Sequence, residues 1–185
     1  YCQKPIAHNL YECREMATLA ARTGVVTQMG TQIHSHGAYR TAVATLRSGV
    51  IGKVKEAHLW VGKSWGGSQK GRPAKQDPVP DHVDWDLWLG VAKDRPYVKS
   101  TYHPANWRRW LDFGSGTLGD MGCHIFDPVF SALGIGAPRN VVSNGPGHFH
   151  EMFAPNGDLT YEFPGTDQTE ETIKFRWTDG KAKKA

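Results

Sequence analysis

Apolar residues recur along the chain with two periods, and the elements follow from where the period changes. Leu10, Cys13, Ala17 and Ala20 or Ala21 fall on one stripe of a 3.6-residue repeat. Asn9 with Glu12 three residues on makes a capping pair ahead of the stripe, and Gly24 closes it, so a helix is predicted between them. Val25 through Gly30 then reads as a short buried strand. Tyr1 to Pro5 reads as the tail of an earlier strand, broken at Lys4-Pro5 because proline has no N–H to give a ladder. Strand end, helix, strand is the closing unit of a parallel α/β sheet.

A second helix is predicted from about Ser35 to Arg47, with Tyr39, Val43 and Leu46 inward and Gly49 as its stop. From Gly52 to Lys63 the period falls to two: Ala57, Leu59 and Val61 alternate with Glu56, His58 and Trp60, the mark of a half-buried strand. Ser64 to Asp81 is rich in Gly, Pro and Lys with no period, which predicts a long surface loop of the kind that serves as a lid, a partner arm or a mobile segment. Asp84 caps a short Trp85–Leu89 helix ended by Gly90. Glycines at 114, 116, 119 and 122 then lead into the apolar run Ile125 to Leu133, which stops at Gly134. That is a loop feeding a helix whose first turns admit another backbone or a ligand. Strands are predicted at Asn140–Ser143, Leu159–Phe163 and Thr172–Thr178, the last with Ile173, Phe175 and Trp177 on one face. Asp179-Gly180 is a hairpin signal that predicts at least one strand more. The fold class is α/β (α+β). The tail of a parallel sheet occupies residues 1–30, and an α+β unit with an open, mainly antiparallel sheet fills 31–185.

Composition narrows the class. With 39% hydrophobic and 22% charged residues the chain is ordinary for a globular protein, enough for one good core or one domain plus part of another. The formal charge of +4 is spread along the chain, giving a mildly basic surface and no stripe for nucleic acid. No apolar run reaches membrane-spanning length. Cys2, Cys13 and Cys123 have no short paired spacing, which argues against a disulfide framework or zinc knuckle and for reduced thiols in the cytoplasm. The chain opens without Met, so a native start is read as missing and export stays open. Of seven Trp, four (Trp85, Trp88, Trp107 and Trp110) fall in one third of the chain, a density that packs a domain seam or lines a pocket.

The candidate chemistry is acid/base. If the last helix already runs through Asp120, then Asp120 and His124 share a face, and a carboxylate beside an imidazole fixes its tautomer and makes it a better base. Spacing alone leaves a first-turn aspartate and a core histidine as the alternative. Lys4 lies at the C-terminal end of a parallel strand, where open α/β sheets bind ligands, and Gln28 at the end of the next is predicted to face the same crevice. Arg108 and Arg109, between Trp107 and Trp110, either clamp an anion or border the aromatic seam, and the seam is favoured. Asp127 is read as helix support. His34-x-His36 and His148-x-His150 lack a third ligand of convincing spacing, so no metal site is assigned.

Several segments in this order resemble the Gfo/Idh/MocA family of NAD(P)-dependent sugar and polyol oxidoreductases: Gln3-Lys4-Pro5, Met29-Gly30-Thr31-Gln32, Ser48 to Val54, Asp84 to Gly90, Trp107 to Gly114, and Gly119 to Asp127. The resemblance spans nearly the whole chain and implies the following. Lys4 is the family's lysine that touches the nicotinamide region and the substrate hydroxyl, whose alkoxide character an ammonium favours. Lys4-Pro5 is a cis peptide that aims the lysine into the cleft. His124 takes the hydroxyl proton, and Asp120 holds the imidazole or a substrate hydroxyl. Lys4, Pro5 and Gln28 are the cofactor contacts, for NAD or NADP; Trp107, Arg108, Asp120 and His124 are the substrate contacts. The substrate is a small sugar or polyol, neither nucleic acid nor membrane is a partner, and the antiparallel sheet is a site for homo-oligomers.

Three departures stand against the pattern. Gln3 replaces the usual glutamate, Pro128 removes the hydrogen bond to the His124 carbonyl, and no G-x-G-x-x-G follows a strand, so the dinucleotide turn is expected upstream and the chain alone is expected to be inactive. Two rival functions are a non-catalytic sugar-binding or oligomerisation module, and a metal-dependent lyase or hydrolase using His124 and Asp120.

Overall fold

The structure, a computed structural model, describes residues 1–68 and 71–181. Two sheets organise it. Strands β1 (Cys2–Gln3) and β2 (Met29–Gly30) pair in parallel, with Cys2 opposite Met29 and Gln3 opposite Gly30. Helix α1 (Leu10–Thr23) joins them, as the crossover between parallel strands requires. Its capping box is formed: Glu12 N–H donates to Asn9, the Glu12 carboxylate accepts from Asn9 N–H, and Gly24 takes the left-handed conformation at the other end.

The strand expected from Val25 is shorter than its apolar run. Residues 25–28 are irregular and Val26 is 98% exposed, because β1 offers only two residues to pair with and no described layer covers this face. For the same reason the apolar stripe of α1 buries none of its residues.

The second sheet has the order β3-β6-β5-β4, from β3 (Val54–Val61), β4 (Asn140–Ser143), β5 (Asp158–Pro164) and β6 (Thr169–Asp179). β4, β5 and β6 pair antiparallel, whereas β3 and β6 run parallel, so the sheet is mixed and mainly antiparallel. Helices α2 (Gly37–Arg47) and α4 (Gly116–Leu133) cover one face. A 3₁₀ turn over Gln32–Ser35 precedes α2, which begins later than expected because the His36 ring accepts from Ala38 N–H and caps it there. Ile173, Phe175 and Trp177 are wholly buried under α4, and Phe126 stacks on Trp177 with ring centroids 5.5 Å apart. Each fully buried aromatic of this kind contributes up to about 3 kcal/mol, which makes β6 the centre of the core. The strand expected after Asp179-Gly180 falls on residues outside those described.

A second, smaller core gathers Tyr102, Trp110 and Met152 with Trp85, Trp88 and Phe113. The Trp85 and Trp88 rings, on α3 (Trp85–Leu89), stack at 4.8 Å, and Asp84 caps this helix by accepting from Leu87 N–H. The Gly- and Pro-rich passage after β3 is not a free loop among its described residues. Gly67 N–H donates to the Phe153 carbonyl, Trp65 N–H to Thr117 Oγ1, and Arg72 pairs with Asp112 and Glu151. Gly66 makes this seating feasible: a Cβ there would stand 1.8 Å from the Ala154 carbonyl oxygen. Among the described residues no helix is long and apolar enough to cross a membrane.

Candidate active site

Helix α4 includes Asp120, so Asp120 and His124 share a face one turn apart. It runs through Pro128 without ending and closes at Gly134 in the left-handed conformation. Residues 114–119 have the spacing G-x-G-x-x-G and open a helix, yet no strand precedes them, and their glycines serve packing. A Cβ on Gly114 would meet the Arg108 carbonyl oxygen at 2.3 Å, and one on Gly116 would meet the Phe153 side chain at 2.7 Å. The close approach expected of this loop is therefore made by the chain itself, and it sets Arg108 beside the first turns of α4.

Lys4 comes to the same place from the end of β1, and the Lys4-Pro5 peptide is cis. Its Nζ donates to Asp120 Oδ1 at 2.8 Å and to the Asp120 main-chain carbonyl at 2.6 Å. Arg108 Nε donates to the same Oδ1 at 2.9 Å. The guanidinium packs on two indoles, 4.5 Å from the Trp107 ring centroid and 5.3 Å from that of Trp65. Arg108 thus both clamps a carboxylate and borders an aromatic surface, where the sequence favoured only the second. His8, on the loop after Lys4, binds the Gly114 carbonyl through Nε2 at 2.9 Å and ties the two halves together again.

The electrostatics follow from this geometry. Burial by itself would raise the Asp120 carboxyl, but the hydrogen bonds and charges of Lys4 and Arg108 outweigh it and hold the group below its ordinary value of 3.8. His124 is pushed below the ordinary 6.5, first by burial and then by the positive charges of Lys4 and Lys63, against the opposite pull of Asp120. At neutral pH the pair is an ionised carboxylate and a neutral imidazole. Burial raises the Cys123 thiol, which stays protonated and unreactive.

The expected Asp120–His124 hydrogen bond is not formed. Two cations compete for the carboxylate and a neutral imidazole loses, so Asp120 acts on Lys4 and Arg108 and leaves His124 open. Gln28 is also not where the sequence placed it. Because β2 begins at Met29, Gln28 precedes the strand and is exposed, and by the parallel register Thr31 is the residue level with Lys4. The Thr31 hydroxyl is buried beside the Cys123 thiol, with no nitrogen or oxygen partner. Gln28 and Thr31 instead line an open, largely apolar cleft of about 640 Å³ between the 3₁₀ turn and α4, together with Gly119, Gly122 and Cys123. At its rim His34 Nδ1 pairs with Asp127 Oδ2 at 2.8 Å, so Asp127 fastens the 3₁₀ turn to α4. Trp65, His8 and Thr31 were missed as site residues. Trp65 lies in an aperiodic stretch, and only contacts remote in sequence give the other two a place.

A lysine from the end of a parallel strand pair, set against a carboxylate on the first turns of a sheet-covering helix, defines an α/β protein with its polar site where the strand pair meets that helix. The model of an oxidoreductase family's C-terminal alpha/beta domain, GFO_IDH_MocA_C2, matches residues 45–162, well over half of the 185-residue chain. The chain belongs to this Gfo/Idh/MocA oxidoreductase family. No curated protein matches it.

Proposed function

We propose that this chain carries the substrate side of a nicotinamide-dependent oxidoreductase that oxidises a hydroxyl group of a sugar or polyol, with residues 1–30 belonging to the cofactor-binding unit and 31–185 to the substrate unit. One observation carries the reading: Lys4, at the end of the parallel pair, meets Asp120 one turn before a neutral His124.

The residues at the strand ends fit the nicotinamide end of such a cofactor. Lys4 and Pro5 border the seam, and the Thr31 hydroxyl is a buried polar group with no nitrogen or oxygen partner. Gln28 contributes from the cleft wall. When bound, NAD or NADP supplies the acceptor for the hydride that leaves the carbinol carbon. The protein's own part is proton handling and charge. The Lys4 ammonium stabilises the alkoxide character that develops on the substrate oxygen, and Asp120 fixes that ammonium in place. His124, neutral and not occupied by Asp120, takes the hydroxyl proton, so loss of hydride and proton together leaves a carbonyl. Trp107 and Arg108 bound the substrate on the far side of Asp120. The exposed outer face of the sheet, with Trp60 at 54%, supports self-association through that surface.

In the full-length protein, Lys4→Met or His124→Ala is expected to lower turnover by about two to four orders of magnitude, with cofactor affinity nearly unchanged in His124→Ala. Near-normal turnover in both variants would contradict the proposal.

A further inference from the structure

We infer that this site takes a sugar bearing an anionic group, a carboxylate or a phosphate monoester, and that Arg108 selects it. The inference relies on the functional reading above only for the site being a substrate site. Asp120 Oδ1 receives both Lys4 Nζ and Arg108 Nε, so a single carboxylate faces two cations and leaves one positive charge without a counterpart. A neutral polyol would leave that surplus in place within a partly water-excluded site, whereas an anionic substituent neutralises it.

The arginine is also presented for such a group. Its Nε is held by Asp120 and its Nη1 donates to the Ala105 carbonyl at 3.3 Å, while Nη2 has no hydrogen-bond partner among the described residues. Trp107 and Trp65 lie along its faces, and the side chain is 27% exposed. What a ligand can reach is the edge of a guanidinium already fixed in orientation, the geometry that favours carboxylate and phosphate oxygens over hydroxyls. The two indoles supply flat apolar walls for the ring that carries the anion.

The test is calorimetric binding to the full-length protein of glucose, galactose and mannose, each as the neutral hexose, the uronate and the 6-phosphate, with and without NAD and NADP. At least one uronate or 6-phosphate is expected to bind about tenfold to a hundredfold tighter than its neutral hexose. Which of the two wins distinguishes the carboxylate from the phosphate. In Arg108→Gln the anionic form should lose far more affinity than its neutral hexose, so that the preference vanishes. Arg108→Lys, which keeps the charge and loses the fork, should retain part of the preference. Equal binding of neutral and anionic forms, a preference that survives Arg108→Gln, parallel loss of both forms in that variant, or binding of none of these sugars would each overturn the inference. Tight anion binding that depends on Arg108, with no cofactor reduced by any sugar, would leave it standing and remove the dehydrogenase reading instead.

Discussion

Lys4 and Asp120, 116 positions apart in sequence, are joined twice: the ammonium reaches the carboxylate at 2.8 Å and the main-chain carbonyl of the same residue at 2.6 Å. This double contact fixes the end of the parallel strand pair against the first turns of α4. The side chains are 16% and 8% exposed, so the pair is shielded well beyond an ordinary surface bridge. Lys4→Met should therefore destabilise the fold as well as the chemistry. A double-mutant cycle with Asp120→Asn, read by denaturant unfolding, should give a coupling of about 0.5–3 kcal/mol. Strict additivity of the two variants would show that the contact does not hold the seam.

Acid should loosen the same seam. The folded Asp120 carboxyl lies below its ordinary 3.8, so its contribution is fully present above that value and is lost as pH falls through 3.8 toward the folded value. Asp179 has the opposite sign. Burial raises it above 3.8, although Trp177 Nε1 and Gly157 N–H both donate to it, so its ionisation works against folding as pH rises above 3.8. In thermal melts across this range, Asp120→Asn should be less stable than the wild type at neutral pH and converge on it in acid. A gap between the two that stays constant into acid would contradict the assignment.

Gly66 controls the placement of Trp65. A Cβ at this position would strike the backbone oxygen of Ala154, which cannot turn aside as a side chain could. Gly66→Ala is expected to cost about 1–3 kcal/mol in urea unfolding and to blunt any sugar preference that depends on Arg108, whose face Trp65 covers. An unchanged unfolding midpoint would mean that the passage after β3 lies elsewhere in solution.

Much of this was legible in the sequence because it was local. The Asn9/Glu12 box, the Asp84 cap, the glycine stops and the alternation in β3 and β6 are set by residues within one turn or one strand of each other. What was not legible depends on partners remote in the chain. Val25 and Val26 look like a buried strand to any window, yet nothing described covers them. Asp120 and His124 have the spacing of an acid/base pair, but which partner the carboxylate takes was decided by Lys4 and Arg108. The parallel pairing of β3 with β6 likewise needs the whole intervening chain to form a crossover.

His124 gives a pH signature. Its imidazole lies below the ordinary 6.5, so it is neutral, and able to accept a proton, throughout the neutral range. The kcat/KM for oxidation should be flat around neutrality and fall as pH drops through the lowered His124 value. In Lys4→Met one cause of the lowering is removed, and the fall should begin at higher pH. A wild-type profile that falls only on the alkaline side would contradict His124 as the base.

Isotope transfer shows whether hydride leaves a substrate carbon at this site. The full-length protein would be given a sugar that it turns over, deuterated at the reacting carbon, and the reduced nicotinamide would be weighed by mass spectrometry. One deuterium in the cofactor is expected for each carbonyl formed, and almost none in His124→Ala over the same time. Deuterium appearing in water instead, or product formed with no reduced cofactor, would contradict it.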